Sequence, residues 1–216
     1  MLTILHRVRT GDTTLQLSPN ALLSLMNEDG IINPAEAWHI VTNQGLEERD
    51  DTQQLYEVAP NFQYREASRR YSIKNLEFVR GIRKIVPKLI ENFGPNGRHY
   101  PIVAFCYEMG SLKDNEVASR TSMQNPYRWG GYNNIDDIHL DRNQNDIARR
   151  KARRYAMLIT GLYTTVDDPK LMDFSVEIKN SWGPNWGVGG YAWVTADIFD
   201  FIGVPLMDGD DVMIID

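Results

Sequence analysis

Cys106 is the single thiol of the chain, so it is the one residue that could serve as a sulfur nucleophile. A thiol attacks as its thiolate and needs a base such as histidine within hydrogen-bond reach. The four histidines, His6, His39, His99 and His139, form no local pattern with it. Flanked by Phe105 and Tyr107 in an apolar run, Cys106 reads as a buried structural cysteine, with a relocated nucleophile as the alternative. A lone cysteine also permits no internal disulfide and no Cys-based zinc site within the chain. No metal and no cofactor is expected. A second cluster is Arg149, Arg150, Lys151, Arg153 and Arg154. It reads either as a solvated helical face balanced by Asp136, Asp137, Asp141 and Asp146, or as a patch for anions or acidic proteins. The densest pattern is Asn180-Ser181-Trp182-Gly183-Pro184-Asn185-Trp186-Gly187, followed by Gly189-Gly190-Tyr191.

The elements that must hold these residues change character near the middle of the chain. Residues 1–9 are apolar at Leu2, Leu5 and Val8 and read as the end of a helix broken at Gly11. Ser18-Pro19 and Asn33-Pro34 each place a capping side chain before a proline, opening helices through Met26 and through Val41. Gly45 closes the second. Residues 47–72 are polar and irregular, and 75–93 has the apolar spacing of an amphipathic helix containing Pro87. From Pro101 the pattern becomes strand-like, at 102–107, 155–163, 174–180, 190–194 and 212–215. Helices first and strands second predict an α+β chain, with a mainly helical lobe over 1–95 and a mainly β lobe over 96–216.

Composition narrows the function. The 216 residues are 42% hydrophobic and 24% charged, ordinary for a globular chain. With 23 basic and 29 acidic residues the net charge is −6, which argues against general nucleic-acid binding. The apolar runs, such as 156–159, are far too short to span a bilayer, so no membrane association is expected. No secretory signal is visible, and the single thiol fits a reducing, cytoplasmic compartment.

The 180–191 segment resembles the asparagine region of papain-like cysteine peptidases, where N-S-W-G-x-x-W-G leads into G-Y and a strand. The preceding Val176-Glu177-Ile178-Lys179 is similar to the strand that enters that asparagine. Tyr155-Ala156-Met157-Leu158-Ile159-Thr160-Gly161 resembles the family's H-A-V-x-x-x-G strand, with tyrosine in place of histidine. Residues 74–105 are similar to its helix-then-strand stretch, and 8–19 and 37–46 to segments that follow its central helix. The resemblance implies a two-lobed papain-like fold across the chain. It assigns Asn180 the role of orienting a catalytic imidazole and Trp182 that of shielding the hydrogen bond, with Trp186 beside them.

The same resemblance exposes what is altered. No C-G-[SA]-C-[WY] nucleophile segment is present. Tyr155 stands at the base position, and a phenol with an ordinary pKa of about 10 is a poor base at neutral pH. The family's C-N-G-G glycine pair is replaced by Gly30-Ile31-Ile32-Asn33. Asn43-Gln44-Gly45-Leu46 mimics the oxyanion N-Q-G but maps to a later helix exit. On this alignment Met1 falls part-way down the central helix, so a protein partner is expected to cover the groove the helix would fill. The expected function is therefore a papain-like homologue without catalytic cysteine and histidine, acting as a structural or protein-binding subunit of a larger assembly. The alternative is a cysteine endopeptidase whose nucleophile segment lies on a separate chain or is missing through truncation.

Overall fold

The computed structural model describes residues 1–19, 22, 34–49, 69–106, 109–128, 155–164, 174–206 and 212–215. They form two compact units, one of Met1–Leu76 with Pro205–Asp216 and one of Glu77–Val204. These units follow contacts, whereas the 1–95 and 96–216 lobes follow element type, so the two divisions fall at different places. Basic residues Arg149, Arg150, Lys151, Arg153 and Arg154, together with His139 and 30–33, lie outside the described residues.

In the first unit, helix α1 (Leu2–Thr10) turns Leu2, Leu5 and His6 inward and ends where the Gly11 amide donates to Arg7 O. Helix α2 (Pro34–Asn43) follows, and then strand β1 (Arg70–Ile73), which pairs antiparallel with β8 (Val212–Ile215). Residues 70–72 belong to the stretch that reads as irregular, because one charged and one small polar residue hide the alternation. Three of the four β1 residues are nevertheless buried. Ser72 joins the pieces, its hydroxyl donating to Val41 O at 2.9 Å while its carbonyl accepts from His6 Nε2 at 3.0 Å.

His6 is fully buried, its other ring nitrogen has no partner, and the ring meets Tyr71 edge-on at 5.0 Å. Burial lowers its pKa below the ordinary 6.5, partly countered by the Ser72 bond. The unfolded chain therefore binds the proton more readily than the folded one. The neutral ring's contribution is complete above the unfolded pKa of about 6.5 and is lost as pH falls through the lower folded value. Stability should fall below pH ~6.5 by up to about 1.4 kcal/mol per pH unit from this group. Urea unfolding at stepped pH checks this: His6→Gln should flatten the dependence in that window, and an unchanged slope would refute the assignment.

The second unit is built on a six-stranded sheet of order β2-β7-β3-β4-β5-β6. Its strands are β2 (Leu76–Arg80), β3 (Ile102–Cys106), β4 (Tyr155–Thr164), β5 (Phe174–Lys179), β6 (Tyr191–Thr195) and β7 (Phe199–Pro205). The run from β7 through β6 pairs antiparallel throughout. The helix expected over 75–93 is instead β2 followed by helix α3 (Ile82–Phe93). Gly81 separates them at φ 85° and ψ 137°, a conformation incompatible with a helix, and its amide donates to Asp200 O. Along α3, Ile82, Ile85, Leu89 and Phe93 are buried, spaced three and four apart as an inward stripe requires. Against Ile85, Leu89 and Phe93 lie Ile102, Ala104 and Cys106 of β3, Met157 and Ile159 of β4, and Val176 and Ile178 of β5. Each such aliphatic side chain contributes about 1.5–3 kcal/mol of burial. This core fixes the ends of β3, β4 and β5, where the candidate site lies.

Candidate functional site

The site grows from the register of β3 and β4. Cys106, last in its strand, stands opposite Tyr155, first in its own. Period two then places Tyr155 on the inward face with Met157 and Ile159, and its ring packs partly buried against the core. Strand β5 ends at Lys179, so Asn180 emerges beside the same edge and the 181–190 loop begins there.

That loop is tied tightly. The Asn180 amide donates to Gly190 O at 3.0 Å and the Gly190 amide to Trp186 O at 2.8 Å. Two bonds join Val188 and Tyr191. A 3₁₀ turn (Gly110–Lys113) and a short helix α4 (Asn115–Ser119) hold the loop from outside. The Trp186 indole N–H donates to Leu112 O at 3.2 Å, and Asn115 Oδ1 accepts from the Gly187 amide at 2.7 Å. Trp186 is buried at 4% exposure, whereas Trp182 is 45% exposed.

Aromatic contacts then run outward in a chain. Trp186 meets Trp182 edge-to-face at 6.0 Å, and Trp182 meets Tyr155 the same way at 6.2 Å. The Lys113 ammonium lies over the Tyr155 ring, 5.2 Å from its centre. Of the residues singled out in the sequence, ring contacts join Tyr155, Trp182 and Trp186, and Asn180 stands at the end of β5 where the same loop begins. Sequence reasoning missed Lys113, Leu112 and Asn115, which read as part of a polar loop. Asp114 was the available signal, since it caps α4 by accepting from the Glu116 amide. Nothing local shows that Asn115 reaches a loop 72 residues away.

Among the described residues, the polar groups near Tyr155 and Asn180 include no thiol–imidazole hydrogen bond. Asn180 is nine-tenths buried, and its Oδ1 accepts from the adjacent Ser181 amide at 2.8 Å. Its Nδ2 has no partner. Cys106 is fully buried, and burial pushes its thiol up to about 12, outweighing the opposing backbone hydrogen bonds and the Lys113 ammonium. A thiol of that kind holds on the order of one thiolate in 10⁵ at neutral pH. At pH 8 iodoacetamide should alkylate Cys106 at least about a thousandfold more slowly in the folded protein than in the denatured chain. Comparable rates, read by intact-mass spectrometry, would contradict its burial. Among the described residues no group of three or more His, Cys, Asp and Glu side chains could hold a metal ion. No described helix is long and apolar enough to cross a membrane.

No protein-family model matches the chain, and no curated protein matches it. Solved structures do. SERA5E from Plasmodium falciparum aligns at a TM-score of 0.58 and 13% identity, over 96% of this chain and 80% of that one. The cysteine protease Amb a 11 of ragweed pollen, in its proform, aligns at 0.54 and 14%, over 96% of this chain. The procathepsin B S9 of Trypanosoma congolense aligns at 0.52 and 16%, over 94%.

The fold is papain-like.

This chain spans 57% of the ragweed proform and 64% of the trypanosome one. At such identities the likeness concerns the backbone, and the papain-like fold says nothing by itself about turnover. The expected α+β architecture, helices leading and an antiparallel sheet following, is the one present.

Proposed function

We propose that this chain is a papain-like cysteine peptidase homologue that does not cut peptide bonds with its own residues and serves as a protein-binding subunit of a larger assembly. One observation carries the reading. The ring beside Trp182, at the base position of the resemblance, is Tyr155, a phenol that packs against the core, a tryptophan and a lysine. Asn180 Oδ1 meanwhile accepts from the Ser181 amide, and among the described residues no imidazole is hydrogen-bonded to it. Cys106 stands opposite Tyr155 but is buried and protonated, which supports a packing role. A cytoplasmic setting goes with this reading, because a lone buried thiol needs no oxidising compartment.

The test combines a fluorogenic peptide library with a thiol-reactive epoxide probe on the purified chain. No turnover and no labelled cysteine are expected. Labelling of Cys106 with matching hydrolysis would overturn the proposal.

A second reading has an observation of its own. The free lone pair of Asn180 Oδ1 and the intact aromatic surround would suit a peptidase whose nucleophile segment comes from a separate chain or a longer product. Intact-mass analysis of the native protein with everything bound to it separates the two. A chain carrying Q-G-x-C-G-S-C-W would favour the peptidase, and non-peptidase partners the subunit.

A further inference from the structure

The sequence contains a single Asn-Gly dipeptide, Asn96-Gly97, and it lies in the loop that leads from α3 to β3. Asn96 is exposed, and its side-chain amide makes no described hydrogen bond. Gly97 has no side chain to shield its backbone nitrogen, the atom that can close a five-membered ring on that amide. Asn43, Asn75, Asn115 and Asn185 are also exposed, but a bulkier residue follows each of them. Asn180 precedes the small Ser181 and is buried.

The loop around Asn96 is tightly tied. The Gly97 amide donates to Gly94 O and the His99 amide to Asn92 O, both at 2.8 Å. The buried Asn92 holds the loop a second time, its Nδ2 donating to Tyr100 O at 2.7 Å. At Gly97 a Cβ would stand 2.2 Å from Asn92 O, so the turn has no room for one more carbon on that side. His99 is kept at φ 54°, a conformation uncommon outside glycine.

We infer that Asn96 is a site of spontaneous deamidation and that its isoaspartyl product loosens the connection from α3 to β3. The Gly97 nitrogen gives up its proton and bonds to Asn96 Cγ, closing a succinimide. The side-chain nitrogen takes up a proton and leaves as ammonia. Water then opens the ring at either carbonyl. Opening at Cγ gives aspartate, and opening at the backbone carbonyl gives isoaspartate, whose chain runs through Cβ and Cγ. The Gly97 amide must first release Gly94 O, so the reaction passes through openings of this turn. The isoaspartyl chain is one methylene longer, and Gly97 cannot move toward Asn92 O to absorb it. Gly97 and His99 therefore shift away from the end of α3, and their bonds to Gly94 O and Asn92 O are lost. Either product also places a carboxylate beyond the C-terminal end of a helix, where the dipole disfavours negative charge.

The experiment ages the intact chain in warm, mildly alkaline buffer and follows each asparagine by peptide mass spectrometry. The Asn96 peptide should gain one dalton at least about fivefold faster than any other asparagine peptide. That gain separates deamidation from isomerisation at Asp29-Gly30 and Asp208-Gly209, which leaves the mass unchanged. Asn96→Gln should abolish it, because the longer side chain would have to close a six-membered ring. The isoaspartyl fraction, isolated by chromatography, should unfold at a urea midpoint lower by at least about 0.5 M than the fresh protein. Fresh Asn96→Asp carries the charge without the extra methylene, so its midpoint should stay above that of the isoaspartyl fraction. Both variants alter an exposed side chain, so circular dichroism should show them folded. No gain at Asn96, or gains spread evenly over the asparagines, would overturn the site. An isoaspartyl fraction as stable as fresh Asn96→Asp would overturn its effect on the loop.

Discussion

Replacing Gly187 by alanine is expected to lower the unfolding free energy by at least about 3 kcal/mol, a large share of the roughly 5–15 kcal/mol a domain has. Two effects combine. Gly187 sits at φ 59°, in the left-handed region that costs an L-residue about 1–2 kcal/mol. A Cβ there would also lie 2.2 Å from the carbonyl oxygen of Tyr191. That oxygen belongs to the backbone of β6 and accepts from the Val188 amide, so no side-chain rotation can relieve the clash. The loop must open instead, losing bonds of about 1 kcal/mol each, including that from the Gly187 amide to Asn115.

Gly183→Ala provides the control. Its φ is 88°, yet a Cβ there meets nothing within 4 Å, so the conformational cost stands alone at about 1–2 kcal/mol. Urea unfolding of the two variants should therefore differ by at least ~1 kcal/mol. Equal losses would mean that the packing of Gly187 against Tyr191 is looser than described.

This loop is also where the sequence was most legible, and the reason is physical. Gly183, Gly187, Gly189 and Gly190 all adopt positive φ, and two tryptophans stand at fixed offsets among them. Residue types that must satisfy steep local constraints leave a readable mark. The strands at 102–106, 155–164 and 174–179 were legible for a related reason, since short β-branched and aromatic runs between polar stretches leave little choice. By contrast, Leu76 and Val79 are three apart and suit a helix face as well as a twisted strand. Only the backbone turn at Gly81 and the position of β2 beside β7 decide between them. Strand β1 depends on a partner more than a hundred residues away, which no local window contains. Lys113 is similar: its chemistry follows from the ring it rests on, and Tyr155 comes 42 residues later, as the numbering shows.

Trp186→Ala is expected to cost about 3–5 kcal/mol, because the indole links the loop to the core by both area and polarity. At 4% exposure the side chain packs within the cluster that includes Leu112, Ala118 and Val194. Its N–H is bonded to Leu112 O, and that carbonyl loses the partner if alanine is substituted. Trp186→Phe separates the contributions, since it keeps most of the apolar contact and removes the donor. A loss of about 1–3 kcal/mol is expected for phenylalanine, the range for a missing buried hydrogen bond plus a small void. The consequence reaches the candidate site. Trp182 rests edge-on against Trp186, and Tyr155 against Trp182, so removing the innermost ring leaves the exposed two without their backing. In Trp186→Ala the Trp182 fluorescence should shift to longer wavelength and quench more readily with acrylamide, even below the unfolding transition. Were both variants to lose equal stability, the hydrogen bond to Leu112 rather than packing would hold the loop. Were neither to change Trp182, the three rings would be independent neighbours.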